Sequence, residues 1–194
     1  MATAVMYRDT NPPYLFPAYD SAVDRAPREP LIEVPPGWLR QAPGPDFRRI
    51  PVPADGADLD GRHGIRGVVR DGRGERVSYP DAMLELWVGD QFARTRTSPD
   101  GEYRAVLRKP AAAALPGGQP LAPWVNVTVF ARGLLKQVQT RMYFPDEGRA
   151  NAADPVLDLV PRRRRPALAA RREDGGLRFD IRLQGPGETP FFAF

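Results

Sequence analysis

The side chains of residues 120–133, PLAPWVNVTVFARG, alternate with a period of two, and this alternation limits the fold more than any other feature. Successive side chains of a β-strand point to opposite faces of its sheet. The two faces are Val125, Val127 and Val129 on one side and Trp124, Asn126, Thr128 and Phe130 on the other. The stretch therefore predicts a strand with tryptophan beside asparagine on one face and with Arg132 just after it.

Further short runs with strand character follow one another along the chain, with turn residues between them. GIRGVVRDGRGERV predicts a hairpin around Asp71-Gly72 and Gly74, and TRTSPDGEYRAVL places a turn at residues 99–101 between two strands. The remaining runs are AMLELWV, LLKQVQTRMYF and LRFDIRL, with a short helix or loop through residues 145–172. About six to eight short antiparallel strands predict an all-β fold, an antiparallel β-sandwich with one or two short helices.

Proline dominates the N-terminal quarter of the chain. Residues 1–47 hold much of the total of 23 prolines, with NPP, VPPG and APGP between single aromatic residues. Proline removes a backbone donor and restricts the residue before it, so this composition does not support long helices or strands. We therefore predict an extended arm over residues 1–47, which wraps a partner through its aromatic residues, and a sandwich over residues 48–194.

Cysteine is absent from the 194 residues, which excludes disulfides, thiolate metal sites and thiol nucleophiles. The first residues, MATAVMYRDTNPPYLF, contain no basic segment followed by a long apolar run. No later stretch approaches the ~18 apolar residues of a membrane span. We expect a cytoplasmic protein without a membrane segment.

Four consecutive arginines contribute to the net charge of +4; they are Arg162, Arg163, Arg164 and Arg165. Such a run either grips phosphates or is a solvated surface segment. No aromatic residues lie between the arginines to stack on bases, so nucleic acid is not the expected partner. The sequence leaves the role of the run open, including whether it touches another protomer.

Three other candidate sites carry less weight. DGADLDGRH, residues 55–63, offers three aspartates and the single histidine. Its spacing lacks the sixth-position glycine and the distal glutamate of a calcium loop, so an Asp- and Gly-rich turn is the simpler interpretation. Neither a Gly-x-Ser-x-Gly elbow nor a glycine-rich phosphate loop occurs. Glu85 in LELW is either a buried acid with a raised pKa or a carboxylate that faces solvent or pairs with an arginine.

In their order along the chain, LELW, PDGEYRA, APWVNVTVFARG, TRMYFPDE, PVLDL and RFDIRLQGPGETPFF resemble the intradiol ring-cleaving dioxygenases, from about residue 40 to the C-terminus. Enzymes of this family use a non-haem ferric ion, held by two tyrosines and two histidines. They insert both atoms of O2 between the two hydroxyl-bearing carbons of a catechol. The resemblance therefore implies an oxidoreductase that opens an aromatic ring to a muconate.

The resemblance also implies that this chain is the metal-free member of a pair of subunits. In the iron-bearing beta type, the two histidines stand as His-x-His on one strand face, and the corresponding residues here are Trp124 and Asn126. The loop of one tyrosine ligand is shortened to GDQFARTRT, and the segment of the other, PAAAALPGGQ, has no tyrosine. We predict that this chain binds no metal and that Fe(III) lies on a beta-type partner.

In this family the catalytic pocket lies at the contact between the two subunit types. The alpha type contributes a Gly-Pro segment and an arginine after the FA strand, which correspond here to Gly44, Pro45 and Arg132. These residues are expected to bind substrate, and no residue of this chain is expected to be catalytic. Ala42 and Asp46 replace a threonine and a tyrosine of the alpha type, so either Arg132 and the partner hold the carboxylate of protocatechuate or the preferred catechol carries another substituent.

The arm is similar to that of the beta type, notably in YRD and in the pattern Y-S---R-PR-PL. Because the two types share a fold, each arm can wrap the core of the other in a nearly two-fold heterodimer. We expect a higher-order alpha-beta oligomer whose number of pairs the sequence does not fix. The alternative is a catalytically inactive, metal-free scaffold or binding homologue: the missing ligands fit it equally well, whereas Arg132, Gly44 and Pro45 favour the enzyme subunit.

Overall fold

The computed structural model describes residues 24–35, 63–89, 91–173 and 176–193, which form a mostly β structure. The strands are β1 Ile32–Glu33, β2 His63–Arg70, β3 Ala82–Val88, β4 Gln91–Arg96, β5 Glu102–Leu107, β6 Ala113–Ala114, β7 Pro120–Leu121, β8 Trp124–Ala131, β9 Val138–Tyr143, β10 Arg171–Glu173, β11 Gly176–Arg178, β12 Ile181–Arg182 and β13 Phe192–Ala193. Between β9 and β10 lie the helices α1 Gly148–Ala153 and α2 Pro155–Leu159 and a 3-10 helix Arg165–Leu168. Within the described ranges, no helix is long and apolar enough to cross a membrane.

Two main sheets form the sandwich. One sheet has six strands in the order β1-β13-β9-β8-β3-β4, and the other has the order β10-β11-β2-β12, with β5 paired to β2. Most neighbouring strands are antiparallel, but β1 runs parallel to β13, and β2 runs parallel to both β11 and β12. β6 and β7 form a separate two-stranded ladder. The predicted sandwich with short helices is confirmed, and its parallel pairs are an addition that the sequence did not predict.

The main core lies between the two sheets and is filled from alternate strand positions. In β8, Val125, Val127 and Val129 are at most 1% exposed, whereas Trp124 and Asn126 on the other face are only partly buried. Full burial of a valine side chain is worth about 1.5 to 3 kcal/mol, so this face fixes the register of the strand. The alternation predicted for residues 124–130 is therefore confirmed.

The hairpin predicted around Asp71-Gly72 is reduced to a turn with one isolated bridge between Arg70 and Arg76. Asp71 closes the turn, because its side chain accepts hydrogen bonds of 3.0 Å from the backbone N–H groups of Arg73 and Glu75. β2 pairs with β5 on one edge and with β11 and β12 on the other. β5 pairs with β2 only as far as Val68, and beyond it the N–H of Val77 donates to the Val69 carbonyl at 2.8 Å. The predicted hairpin therefore forms, but as a single bridge and not as a full second strand.

The run LRFDIRL, predicted as one strand, is interrupted between β11 and β12 at Phe179 and Asp180. The carboxylate of Asp180 accepts a hydrogen bond of 3.1 Å from the backbone N–H of Val68, and the phenol of Tyr103 donates to the Phe179 carbonyl at 2.5 Å. Gly67 permits this approach, since a Cβ at that position would lie 1.9 Å from the Phe179 carbonyl oxygen. Side chains thus replace ladder bonds at the interruption.

The two helices cover the outer face of the six-stranded sheet near β9. Asp154 caps α2, because its side chain accepts hydrogen bonds of 2.9 Å from the backbone N–H groups of Val156 and Leu157. Pro155 follows at the first helical position, where the missing N–H costs nothing. The buried residues of α2 belong to a second apolar cluster, against which Trp124 packs.

Residues 24–35, which we call the anchored segment, lie against the body of their own chain. Glu188 is buried, with 4% exposure, and its carboxylate accepts hydrogen bonds from the backbone N–H groups of Arg28 and Glu29 at 3.0 and 3.1 Å. This part of the predicted arm is therefore fixed to its own core. That residues 1–47 wrap a partner stays a prediction, and the rest of the arm is outside the described residues.

Candidate functional site

Arg132 lies one residue beyond β8, in a turn that depends on glycine. The N–H of Leu134 donates to the carbonyl of Ala131 at 3.0 Å, which closes the turn, and Gly133 has a φ of +94°. Positive φ at the third position of a turn is adopted readily by glycine and with strain by most other residues. The sequence ARGL therefore ends the strand and fixes the backbone of Arg132 at the end of the sheet.

Asp81 and Arg25 hold Arg132 in this place. The N–H of Arg132 donates to the Asp81 carbonyl at 2.8 Å, and the Arg132 carbonyl accepts a hydrogen bond of 2.8 Å from Nη1 of Arg25. Nη1 of Arg132 lies 3.6 Å from Oδ1 of Asp81, and the Arg132 side chain is 47% exposed. The guanidinium is thus restrained from one side and accessible from the other.

Trp124 and Asn126, the predicted counterparts of two histidine ligands, bond to each other. Nε1 of Trp124 donates to Oδ1 of Asn126 at 2.9 Å. Asn126 lies opposite Arg141 of β9 in the ladder, and the guanidinium carbon of Arg141 is 4.5 Å from the centre of the Trp124 ring. The strand face predicted to correspond to a pair of histidine ligands therefore carries a neutral pair beside a cation.

Arg141 is almost completely buried, with 1% exposure. Its guanidinium also lies 6.0 Å from the Phe192 ring, so two aromatic rings contribute cation–π stabilisation. Within the described part of the chain, Nε and Nη1 of Arg141 have no hydrogen-bond partner. The positive charge of Arg141 would repel a metal ion placed beside it.

The donor set around Trp124 does not fit a ferric ion. An indole N–H is only a donor, and Oδ1 of Asn126 already accepts from it. In residues 24–35, 63–89, 91–173 and 176–193, no three His, Cys, Asp or Glu side chains come together as a metal group. Residues 55–60 and the side chain of His63, considered as a metal site from the sequence, are outside this description.

Asp154 ties the helices to the same sheet face. Besides capping α2, its carboxylate accepts hydrogen bonds from the Ala122 backbone N–H at 2.9 Å and from the Tyr143 phenol at 3.3 Å. Burial raises the pKa of Tyr143, while the nearby Arg141 lowers it and Asp154 raises it again, with a net increase. Tyr143 therefore keeps its proton and acts as a hydrogen-bond donor.

Glu85 of LELW is buried and paired. Its Oε1 accepts a hydrogen bond of 2.9 Å from Nε of Arg94, its neighbour across the β3–β4 ladder. Of the interpretations drawn from the sequence, pairing with an arginine is confirmed. Glu85 is a structural carboxylate of the sheet.

Three arginines of the run lie near carboxylates of their own chain: Arg163, Arg164 and Arg165. Arg164 lies 3.6 Å from the carboxylates of both Glu29 and Glu188, and its side chain is only 10% exposed. Arg165 pairs with Asp158 at 3.0 Å. Arg164 is therefore not a solvated side chain: it fastens the anchored segment to the body.

Gly44 and Pro45, the two other predicted substrate-binding residues, lie outside the described residues, as do Ala42 and Asp46. Their approach to Arg132 stays a prediction. Sequence reasoning missed Asp81, Arg25 and Arg141. No local pattern links Asp81 or Arg25 to Arg132, whereas strand alternation in TRMYF puts Arg141 on the face of Tyr143 and was a usable signal.

Comparison with known proteins relates this chain to protocatechuate 3,4-dioxygenases. Residues 7–37 match the family model described as protocatechuate 3,4-dioxygenase beta subunit N terminal. The protocatechuate 3,4-dioxygenase alpha chain of Pseudomonas putida is 41% identical over 160 residues, which cover 71% of this chain and 79% of that protein. The corresponding alpha chain of Burkholderia cepacia is 39% identical over 181 residues, 80% of this chain and 90% of that protein.

Among solved structures, catechol 1,2-dioxygenase from Acinetobacter radioresistens superimposes with a TM-score of 0.51 at 16% identity, over 72% of this chain and 58% of that one. At this identity the match shows a shared fold only. The alpha-type chain with a beta-like N-terminal region, predicted from the sequence, is confirmed by the sequence matches. The chain therefore belongs to the protocatechuate 3,4-dioxygenase alpha chains, oxidoreductase subunits of the intradiol ring-cleaving dioxygenase family.

Proposed function

We propose that this chain is the metal-free alpha subunit of a cytoplasmic, hetero-oligomeric intradiol dioxygenase and forms one wall of a pocket completed by an iron-bearing beta subunit. The reaction joins O2 to protocatechuate, or to a related substituted catechol, and gives a 3-carboxy-cis,cis-muconate-type product. The observation that carries the proposal is the guanidinium of Arg132, 47% exposed on a backbone that Asp81 and Arg25 hold at a strand end.

Arg132 suits a carboxylated aromatic substrate. A guanidinium is planar and always charged, and it can donate two parallel hydrogen bonds to one carboxylate. A charge-assisted hydrogen bond of this kind contributes about 1.5 to 3 kcal/mol. Since the carboxylate of protocatechuate is remote from the carbons that react, Arg132 orients the ring and does not take part in bond making.

Gly44 and Pro45 are proposed to complete this wall. A glycine allows close approach of backbone to a flat ring, and a proline gives an apolar surface with a fixed φ. Such a wall excludes water from the substrate and limits its orientations. Ala42 and Asp46 leave the choice among substituted catechols to Arg132 and to the partner subunit.

The partner supplies the metal in this proposal, and its ferric ion makes the bound catechol reactive toward O2. The contribution of this chain is binding and orientation. Trp124 and Asn126 bond to each other, and Arg141 lies beside them, so this face of β8 has no place for a second metal. One competent site per alpha-beta pair follows.

Co-expression with the beta-type partner tests the proposal. A coloured, iron-containing complex that consumes O2 with protocatechuate, while this chain alone is colourless and inactive, is the expected result. A colourless and self-sufficient oligomer of this chain, with no affinity for a beta-type subunit, would instead support the scaffold or binding homologue. Iron analysis, size-exclusion chromatography and oxygen uptake on the same preparation separate these outcomes.

A further inference from the structure

Asp81 lies between two guanidinium groups, directly before the first residue of β3. Its Oδ2 accepts a hydrogen bond of 3.2 Å from Nη1 of Arg25, and its Oδ1 is 3.6 Å from Nη1 of Arg132. The side chains of Arg25, Asp81 and Arg132 are 11%, 24% and 47% exposed. The three side chains therefore alternate in charge, from a nearly buried arginine through a carboxylate to an arginine at the surface.

The same two residues also fix the main chain of Arg132. Asp81 accepts from its N–H through a backbone carbonyl, and Arg25 donates to its carbonyl, both at 2.8 Å. Arg132 is thus held at its N–H, at its carbonyl and at its guanidinium. Two of these three contacts come from side chains, and Arg25 belongs to the anchored segment.

We propose that Asp81 and Arg25 are positioning residues for Arg132, through which the anchored segment determines how tightly the pocket binds a carboxylated catechol. This inference rests on the proposed function of Arg132. Asp81 limits the rotamers of the Arg132 side chain. Arg25 donates both to the Asp81 carboxylate and to the Arg132 carbonyl, and so holds the turn after β8 beside the start of β3.

A carboxylate beside Arg132 also competes with the substrate carboxylate, so the sign of its effect has to be argued. The 3.6 Å separation from Arg132 is long, whereas Arg25 donates to Asp81 at 3.2 Å. Two guanidinium charges and one carboxylate sum to +1, so the group still attracts an anion. Asp81→Asn raises this sum to +2, which by charge alone would tighten binding of the carboxylate. We expect the loss of orientation to outweigh this gain, so a raised KM supports the inference and a lowered KM overturns it.

The test uses the assembled alpha-beta complex with Asp81→Asn or Arg25→Ala. The KM for protocatechuate and the inhibition constant of catechol, which lacks the carboxylate, are measured together. We expect the KM for protocatechuate to rise about fivefold, the ratio that corresponds to one partly exposed charged contact, while kcat and the catechol constant stay unchanged. A general distortion of the pocket would change both constants.

A double-mutant cycle with Arg132→Ala identifies the route of the effect. If Asp81 acts through Arg132, Asp81→Asn has no further effect on KM once Arg132 is alanine. Asp158→Asn is the matched control, since it removes another aspartate–arginine pair, 3.0 Å from Arg165 on α2, and is expected to change neither constant.

The outcomes separate this inference from the proposed function. An unchanged KM in Arg132→Ala overturns the substrate role of Arg132 and with it the inference. A raised KM in Arg132→Ala, with Asp81→Asn and Arg25→Ala both without effect or with equal effects on protocatechuate and catechol, overturns only the inference. Should Asp81→Asn fail to assemble, Arg25→Ala gives the same test from outside the sheet.

Discussion

The indole N–H of Trp124 and the amide oxygen of Asn126 satisfy each other over 2.9 Å, two residues apart on one strand face. The guanidinium carbon of Arg141 lies 4.5 Å from the centre of the Trp124 ring. Two histidines at these positions would point toward one ion, since period two aligns them. Trp124 and Asn126 bond to each other instead of pointing toward an ion, and a buried cation lies beside them.

Trp124→His combined with Asn126→His is expected to leave the iron content of the alpha-beta complex unchanged. Two imidazoles alone do not complete a ferric site: among the described residues no group of three His, Cys, Asp or Glu side chains comes together, and the Arg141 guanidinium lies beside residue 124. Metal analysis of the purified complex checks this. Extra iron bound by the double variant would contradict it, and adding Arg141→Gln separates the effect of charge from that of missing donors.

Arg132→Ala in the complex is expected to raise the KM for protocatechuate about ten- to a hundredfold, the range for loss of a charge-assisted hydrogen bond. Iron content should stay the same, because Arg132 contacts substrate and not metal in the proposed pocket. Arg132→Lys, which keeps charge but loses the bidentate geometry, should lie between the two. If KM is unchanged and the complex dissociates more readily, Arg132 pairs with an acidic group of the partner instead.

Gly133→Ala is expected to lower the free energy of unfolding by about 1 to 2 kcal/mol, since an alanine at a φ of +94° is strained. The strain acts on the turn that fixes Arg132, so KM for protocatechuate should rise as well. Thermal unfolding and steady-state kinetics check the two effects. Gly148→Ala is the control, because a Cβ there meets nothing within 4 Å and its φ is not positive.

Glu188→Gln is expected to loosen the anchored segment. The carboxylate accepts hydrogen bonds from two backbone N–H groups of the segment and lies 3.6 Å from the Arg164 guanidinium. Its negative charge therefore stabilises both contacts. Tryptic cleavage after Arg25 and Arg28 should accelerate about tenfold, as a loss of about 1.4 kcal/mol implies. Glu173→Gln, which breaks a pair with Arg66 elsewhere, should leave the rate of this cleavage as it is.

Acid is expected to remove the contribution of Asp146 to the stability of the folded protein. The hydrogen bond from Lys109, 2.8 Å away, holds the pKa of Asp146 below its usual value, although burial acts in the opposite direction. A lowered pKa in the folded state gives stability that is present above the unfolded pKa and is lost as pH falls through the folded one. Asp146→Asn should therefore lower the Tm by about 1 to 2 °C at neutral pH, and the difference should shrink and then vanish as acid protonates the Asp146 carboxylate in the folded protein. A difference that persists in acid would mean that packing, not charge, is the cause.

The strand alternation of β8 and the position of Arg132 were predictable because both follow from residues that are neighbours in sequence. Val125, Val127 and Val129 alternate with polar or aromatic residues, and only a strand buries that pattern on one face. The family resemblance depended on the same local runs. The glycine directly after Arg132 is a residue typical of turns.

The contacts around Arg132 were not predictable, because they join residues that are far apart in the chain. Asp81 precedes β3 and Arg25 lies in a proline-rich segment, and nothing in either local sequence indicates the other. The interruption at Asp180 was missed for a similar reason, since it depends on Gly67 and Tyr103 of the neighbouring strands. The hairpin after β2 is shorter than its local turn signal indicated, because β5 pairs with most of that strand.

Glu188 grips the anchored segment by its peptide N–H groups at residues 28 and 29, and every residue except proline offers such a group. A contact of this kind makes almost no demand on the side chains that it holds. These two hydrogen bonds therefore tolerate sequence change in the anchored segment, whereas the ion pairs of Arg25 with Asp81 and of Glu29 with Arg164 do not. In a chain whose residues 7–37 match a beta-subunit family model, the attachment thus combines backbone contacts that almost any sequence can make with ion pairs that depend on particular side chains.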